Sequence, residues 1–200
     1  MARTEHLLYL HGFRSSPGSV KARQVAAAVQ SLQATGHAIE WCCPQLPPSP
    51  AEAMQLIDHL TRHWPRDAST GVIGSSLGGF YATVFAEARP AVRAVLLNPA
   101  VNPARDLADQ IGELGAWHEP DLKFSFTVAH VAELRAMTPA SITHPARYAA
   151  LIAKGDEVLD WREMVGRYPG AKLRLLEGND HAISDFERHL PFVMDCLGLR

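Results

Sequence analysis

Positions 71–80, Gly-Val-Ile-Gly-Ser-Ser-Leu-Gly-Gly-Phe, constrain this chain more than any other stretch. Val72 and Ile73 form a short apolar run suited to a buried strand, and residues 77–88 (LGGFYATVFAEA) read as a helix that begins at once. A strand running straight into a helix must bend sharply at one residue, where flanking side chains would collide with the neighbouring strand and helix. Gly74 and Gly78 meet that demand on either side of Ser76, and Gly79 lets the helix lie close on the sheet. The pattern Gly74-x-Ser76-x-Gly78 therefore predicts a nucleophile elbow. Its serine oxygen stands above the sheet edge, beside the free N–H groups of a helix N-terminus. Ser76 is the candidate nucleophile, and Ser75 is expected to support the turn.

The rest of the chain alternates in the same manner. Residues 7–10 read as a central strand ending at His11-Gly12-Phe13. Ser19 is placed to cap a helix over residues 20–34, with Val25, Val29 and Leu32 inward, Lys21, Gln24 and Ser31 toward water, and Gly36 as its stop. Residues 37–43 read as a second strand of edge character, and residues 51–63 as a helix with Met54, Ile57 and Leu60 inward. Residues 92–97, 148–153 and 172–176 supply further strands, and residues 160–167 a short helix. Ser184-Asp185-Phe186-Glu187 has the capping-box pattern for a C-terminal helix that Pro191 should interrupt. Residues 101–143 are too long for an ordinary connection. Two helical pieces are expected there, near 103–114 and 128–137, around the aromatic stretch 117–126. The expected fold class is α/β: one domain over residues 1–200 with a mostly parallel central sheet of about six strands and helices on both faces. A small helical insert or lid, residues 101–143, follows the fourth strand.

Composition narrows the function classes. Lys and Arg number 19 against 21 Asp and Glu, a net charge of −2, which gives no footing for a nucleic-acid surface or a polybasic membrane patch. Cys42, Cys43 and Cys196 are an odd set without metal-ligand spacing, expected as free thiols in a reducing compartment. No long apolar run precedes His11, so neither a signal peptide nor a membrane span is expected, and the expected location is the cytoplasm. A small-molecule substrate is the expected partner, and nothing here specifies an oligomeric state.

A serine hydroxyl needs a base to take its proton and a third group to orient that base. Parallel sheets bind ligands beyond the carboxyl ends of their strands, and His11-Gly12, Ser76, Asp156 and His181 all follow expected strands. Of ten histidines, His6, His37, His59, His63 and His189 read as surface or packing residues, and His118, His130 and His144 lie in or beside the insert. His181, in a tight turn after the last strand, is the preferred base, and His11 is expected to hold its own loop in shape. Asp160 has the look of a helix cap, so Asp156 is the preferred acid, with Asp180 and Asp185 as alternatives. The oxyanion hole is assigned to the backbone N–H groups of Leu77 and Phe13.

Five segments, LYLHGFRSSPGS, GSSLGGFYAT, NPAVNP, GDEVLDW and GNDHAISDFERHLP, resemble in register the motifs of the YqiA/YcfP-type small bacterial esterases of the α/β-hydrolase superfamily. The resemblance runs over nearly the whole chain. It implies a shortened α/β-hydrolase sheet lacking the first strands of the full fold, a Ser76, Asp156 and His181 triad, and activity on acyl esters, extending to acyl-CoA thioesters. Asn179 departs from the pattern where a glycine is expected, Ile183 where phenylalanine is usual, and residues 102–138 match least. In the insert, Trp117, Leu122, Phe124 and Phe126 either line an apolar acyl slot or anchor the segment on the sheet. Arg14, beside the oxyanion loop, is a candidate contact for a substrate carboxylate or phosphate, set against a solvated side chain. The expected function is a serine esterase working through an acyl-enzyme, with no metal or cofactor. A thioesterase using the same groups and a non-catalytic binding protein of the same fold are the alternatives.

Overall fold

The computed structural model describes residues 3–117, 119 and 121–199. In chain order come β1 (His6–Leu10), α1 (Val20–Ala34), β2 (Glu40–Cys42), α2 (Pro50–Leu60), β3 (Thr70–Ser75), α3 (Leu77–Glu87) and β4 (Arg93–Leu97). The insert follows, with α4 (Pro103–Asp106), a 3-10 turn (Ala108–Gln110), β5 (Gly112–Gly115), β6 (Lys123–Phe126) and α5 (Val128–Met137). A second 3-10 turn (Pro145–Arg147), β7 (Tyr148–Ala153), α6 (Trp161–Arg167), β8 (Lys172–Leu176) and α7 (Phe186–Cys196) complete the order.

Six strands pair in parallel in the order β2-β1-β3-β4-β7-β8. The sequence of connections reverses direction between β1 and β3, which opens a crevice at their carboxyl ends. Alternate strand residues feed two separate cores. Leu8, Leu10, Val72, Leu96 and Ile152 pack under α2, α3, α5 and α6, while Leu7, Tyr9, Ile73, Val95 and Leu151 pack under α1 and α7. Each such aliphatic side chain, fully removed from water, contributes about 1.5–3 kcal/mol. α3 buries nine of its eleven residues, so it is a core helix with no solvent stripe.

Side-chain volume fixes how α3 meets the sheet. A Cβ on Gly78 would stand 2.0 Å from the Leu10 carbonyl oxygen, and one on Gly74 would stand 2.2 Å from the Gly78 oxygen. The end of β1, the elbow and the first turn of α3 are therefore in backbone contact.

Several local expectations need correction. Residues 103–114 are helical only over Pro103–Asp106 and Ala108–Gln110, after which β5 and β6 form an antiparallel hairpin. The period-two pattern of Lys123-Phe124-Ser125-Phe126, with the two phenylalanines inward, is the strand signal behind that hairpin. Ser19 occupies the N-cap of α1 without a side-chain cap bond. Lys21, read as facing water, is half-buried. The capping box at Ser184 does not form, since its N–H and hydroxyl both bond Asp180 and α7 starts later, at Phe186. α7 also runs through Pro191, because the carbonyl its ring leaves unbonded, that of Glu187, sits on an exposed residue open to water. Gly36, in contrast, ends α1 as expected: at φ 92° its N–H bonds Gln33 and the next N–H, of His37, bonds Leu32.

The insert is tied down at α5. Glu133 accepts from Ser49 Oγ (2.9 Å) and Ala51 N (3.0 Å), so its carboxylate sits at the positive end of α2. No helix among the described residues is long and apolar enough to cross a membrane.

Gly78→Ala should lower the unfolding free energy by about 3 kcal/mol or more, because neither backbone can yield to the added methyl. Gly166→Ala, where a Cβ meets nothing within 4 Å, should be neutral or gain up to about 1 kcal/mol from helix propensity. Urea unfolding of the two variants checks the contrast.

Candidate active site

Ser76 sits at the corner between β3 and α3 with φ 54° and ψ −121°, a backbone region costly for a residue with a Cβ. Its strain is held by four backbone bonds: its N–H donates to Leu97 O (3.0 Å), and its carbonyl accepts from Gly79 N (2.8 Å), Ala100 N (3.0 Å) and Phe80 N (3.4 Å). The hydroxyl is thereby aimed at the crevice between β1 and β3. Ser75, as expected, is buried beneath the turn.

His181 approaches from the loop after β8. Its Nε2 lies 3.1 Å from Ser76 Oγ and its Nδ1 lies 2.8 Å from Asp156 Oδ2. The Asp156 side chain is fully buried, and its other oxygen accepts from Val158 N and Leu159 N at 2.8 Å each. The carboxylate is thus fixed by its own loop and has one direction left in which to face the imidazole. Asp160 accepts from Arg162 N as the cap of α6. Asp180 is taken by Ser184 and Asp185 by Asn179, bonds that hold both carboxyls below the usual carboxylate range. Neither alternative acid bonds the imidazole.

Two residues that position this loop had no role assigned from the sequence. Asn98, buried at the end of β4 with φ 41°, donates from Nδ2 to the carbonyls of Asp180 (3.1 Å) and His181 (3.0 Å). Its Oδ1 accepts from Ala153 N at 2.7 Å, so one amide clamps the end of β7 to the histidine loop. The short polar side chain of asparagine tolerates that backbone region, which was the available signal in Asn98-Pro99. Glu157 adds a bond to His181 N (3.0 Å). Asn179 ties the loop to Asp185 and to Asp180 N, a function glycine could not supply. Ile183 is buried against the α1 and α7 core at φ 51° and anchors the loop from the other side.

The loop after β1 forms the facing wall. A Cβ on Gly12 would stand 3.2 Å from Ser76 Cβ, so this backbone lies directly against the nucleophile candidate. Among the described residues, the N–H groups of Phe13 and Leu77 donate to no acceptor, leaving both free. His11 is buried with Nε2 accepting from Leu46 N (3.1 Å), the loop-shaping role expected of it.

Two clefts flank Gly12 and Phe13. One, of about 570 Å³, is walled mainly by apolar groups including Phe13, Leu46, Leu56, Leu77, Tyr81 and Phe124. The other, of about 440 Å³, holds Ser76 and His181 together with Tyr9, Ser19, Lys21 and Trp117. The insert aromatics divide accordingly. Phe124 and Leu122 line the apolar cleft, while Phe126 is 1% exposed and packs edge-on against Phe13, reaching neither cleft. Trp117 is 69% exposed at the rim, with the Arg14 guanidinium 3.9 Å from its ring centroid. Arg14 also donates from Nε to Gly115 O (2.7 Å) and accepts at its carbonyl from Trp117 N (2.8 Å). Through these bonds it fastens the hairpin to the β1 loop, while its side chain also lines the apolar cleft. His118 lies outside the described residues.

A family model described as Uncharacterised protein family (UPF0227) matches residues 6–197. Among solved structures, the chain is similar to alpha/beta hydrolase domain-containing protein 10 from mouse, at 16% identity and TM-score 0.69, covering 98% of this chain and 92% of that one. It is also similar to Est1E from Butyrivibrio proteoclasticus, at 17% identity and TM-score 0.65, covering 98% and 86%. Tomato methylketone synthase I, in a complex with 2-tridecanone, aligns over the full length of both chains at 11% identity and TM-score 0.65. At these identities the likeness is one of fold, and that fold is the α/β hydrolase.

Asn98→Ala removes one acceptor and two donor bonds at once and leaves the Ala153 N–H buried without a partner. A loss of about 1–3 kcal/mol in unfolding free energy is expected, measurable by urea titration.

Proposed function

The chain belongs to the uncharacterised protein family UPF0227, the YqiA-type family, and on that premise we propose that it is a serine esterase hydrolysing acyl esters. The observation that carries the reading is the hydrogen-bonded series from Ser76 Oγ through both nitrogens of His181 to the buried Asp156 carboxylate. Serine, imidazole and carboxylate in that order are what converts a weakly nucleophilic hydroxyl into an acylating group.

In the proposed reaction Ser76 Oγ attacks the ester carbonyl carbon while His181 Nε2 takes its proton. The carbonyl oxygen acquires negative charge and is received by the N–H groups of Phe13 and Leu77, which have no other acceptor among the described residues. As the carbon–oxygen bond to the leaving group breaks, His181 returns the proton to the departing alkoxide. Asp156 keeps Nδ1 protonated, faces the imidazolium that forms transiently, and stays a carboxylate throughout. Water then attacks the acyl-Ser76 with His181 again as base, releasing the acid and restoring the hydroxyl. The elbow strain has a purpose here: it holds Oγ within reach of the imidazole, 3.1 Å from His181 Nε2. Three unpaired cysteines suit the reducing cytoplasm, where we place the protein.

Incubation with a fluorophosphonate should add one phosphonyl group, located at Ser76 by peptide mass spectrometry. Ser76→Ala should lower kcat by about 10³-fold or more with unchanged unfolding. Near-normal hydrolysis of a 4-nitrophenyl acyl ester by that variant would sink the mechanism.

A further inference from the structure

The cleft that holds Ser76 and His181 differs chemically from its apolar neighbour. It is closed on one side by the N-terminus of α1, whose residues Ser19, Val20 and Lys21 line it. The Ser19 hydroxyl makes no cap bond and the first turn of α1 carries no acid. The positive end of a fifteen-residue helix is therefore left without a side-chain counterpart. A second, independent feature lies in the floor. The Tyr9 side chain is wholly buried and lines the cleft, and its hydroxyl closes a hydrogen bond with no group. Ser19 and Ser75 are its polar neighbours, but the geometry is not met with either. Buried hydroxyls almost always have a partner, so this one marks a place where a partner arrives.

The third feature is Lys21. Its Nζ donates to Ala182 O (2.5 Å), which leaves two of its three protons unused, and it makes no ion pair among the described residues. The carboxylates nearest in charge, Asp180 and Asp156, are already engaged by Ser184 and by the Val158, Leu159 and His181 donors respectively. No Asp or Glu lines the cleft.

We propose that this cleft is an anion subsite, in which the α1 N-terminus, Lys21 and the Tyr9 hydroxyl receive a carboxylate or phosphate carried on the leaving arm of the substrate. The assignment rests on the esterase reading and makes it more specific. Proton return identifies the arm. His181 must reach the departing oxygen, and His181 lines this cleft and not the apolar one. The acyl arm then lies across Leu77 and Phe13 in the apolar cleft. The substrate class is an apolar acyl ester of a small acidic alcohol.

Burial lowers the Lys21 pKa to about 8, against the opposing pull of Asp180 and Asp156. Tyr9, from β1, is pushed the other way by burial and stays neutral in that range, and His181 is the remaining titratable group on the cleft wall. The ammonium is thus lost as pH rises through about 8, and the anion preference should decline with it.

Three octanoyl esters test the subsite: those of glycolic acid, of ethylene glycol monophosphate, and of methyl glycolate as the neutral match. At neutral pH one or both anionic esters should exceed the neutral one in kcat/KM by about tenfold or more, the size of one charge-assisted hydrogen bond, with KM carrying the change. The two anionic arms tell carboxylate from phosphate. Tyr9→Phe and Lys21→Gln should each shrink the anionic-to-neutral ratio severalfold; Tyr9→Phe removes a single unpaired oxygen and leaves the Lys21–Ala182 bond in place. Binding of the same esters to Ser76→Ala by calorimetry supplies a readout independent of turnover. Hydrolysis with no anionic preference, or a preference unchanged in both variants, overturns the subsite and leaves the esterase standing. Tighter anionic binding to Ser76→Ala, without turnover of any ester by the intact enzyme, overturns the esterase and leaves the anion site standing.

Discussion

The close approach of the first turn of α3 to the end of β1 is the constraint from which the site follows. With the Leu10 carbonyl only 2.0 Å from where a Gly78 Cβ would stand, α3 can take this seat on the sheet only with glycine at that position. That seat forces the chain through Ser76 at a positive φ, and it also brings the β1 loop against the same serine at Gly12. One steric condition therefore governs both the turn at the serine and the closeness of the β1 loop to it. Glycines supply the closeness because the alternative is overlap between backbones, which no rotamer change relieves.

The histidine side is held by different physics. Hydrogen bonds to buried groups, together with the packing of Ile183, hold the loop after β8 over the elbow. Asn98 links β4, β7 and the loop through one side chain, Asp156 is locked by two N–H groups of its own turn, and Ile183 is sunk in the core. Each buried polar group here is costly to leave unpaired, so the arrangement is held all together or lost in pieces of about 1–3 kcal/mol. The reversal of strand order beside β1 explains why these loops meet at all. Connections leave in opposite directions there, and the gap between them is where a substrate can enter.

Much of this was legible in the residues, for a reason that also marks the limit. β7 and β8 fall at the residues expected of them, and α1 likewise, because apolar period and turn residues act locally. Ser76, Asp156 and His181 were legible because each follows a strand at one sheet edge. The misses are the features decided by distant partners. Lys21 sits on the polar side of a helical wheel, yet Ala182, far along the chain, covers it. The β5–β6 hairpin was hidden because Pro-Ala-Arg-Asp-Leu has a good helix start and only the later Lys-Phe-Ser-Phe shows the strand period. Asn98 looked like the end of a strand because its three partners, Ala153, Asp180 and His181, cannot be named without the fold. Asn179 and Ile183, departures from the family pattern, carry roles suited to this loop rather than gaps in it.

The insert resolves along the same lines. A mobile lid needs a segment whose bonds run mostly to itself, so that opening costs little. Here the hairpin is bound to the wall of the site: Arg14 gives Nε to Gly115, takes the Trp117 N–H at its own carbonyl, and lays its guanidinium on the Trp117 ring. Phe13, which carries one of the two free N–H groups and lines the apolar cleft, is flanked by Phe124 and Phe126 from β6. At the far end Glu133 fastens α5 to the start of α2. Swinging the hairpin away would release Arg14 and two aromatic contacts on Phe13, and so disturb the loop that lies against Ser76 at Gly12. The hairpin is therefore fastened to the loop after β1, and displacing it costs those contacts as well as its own pairing.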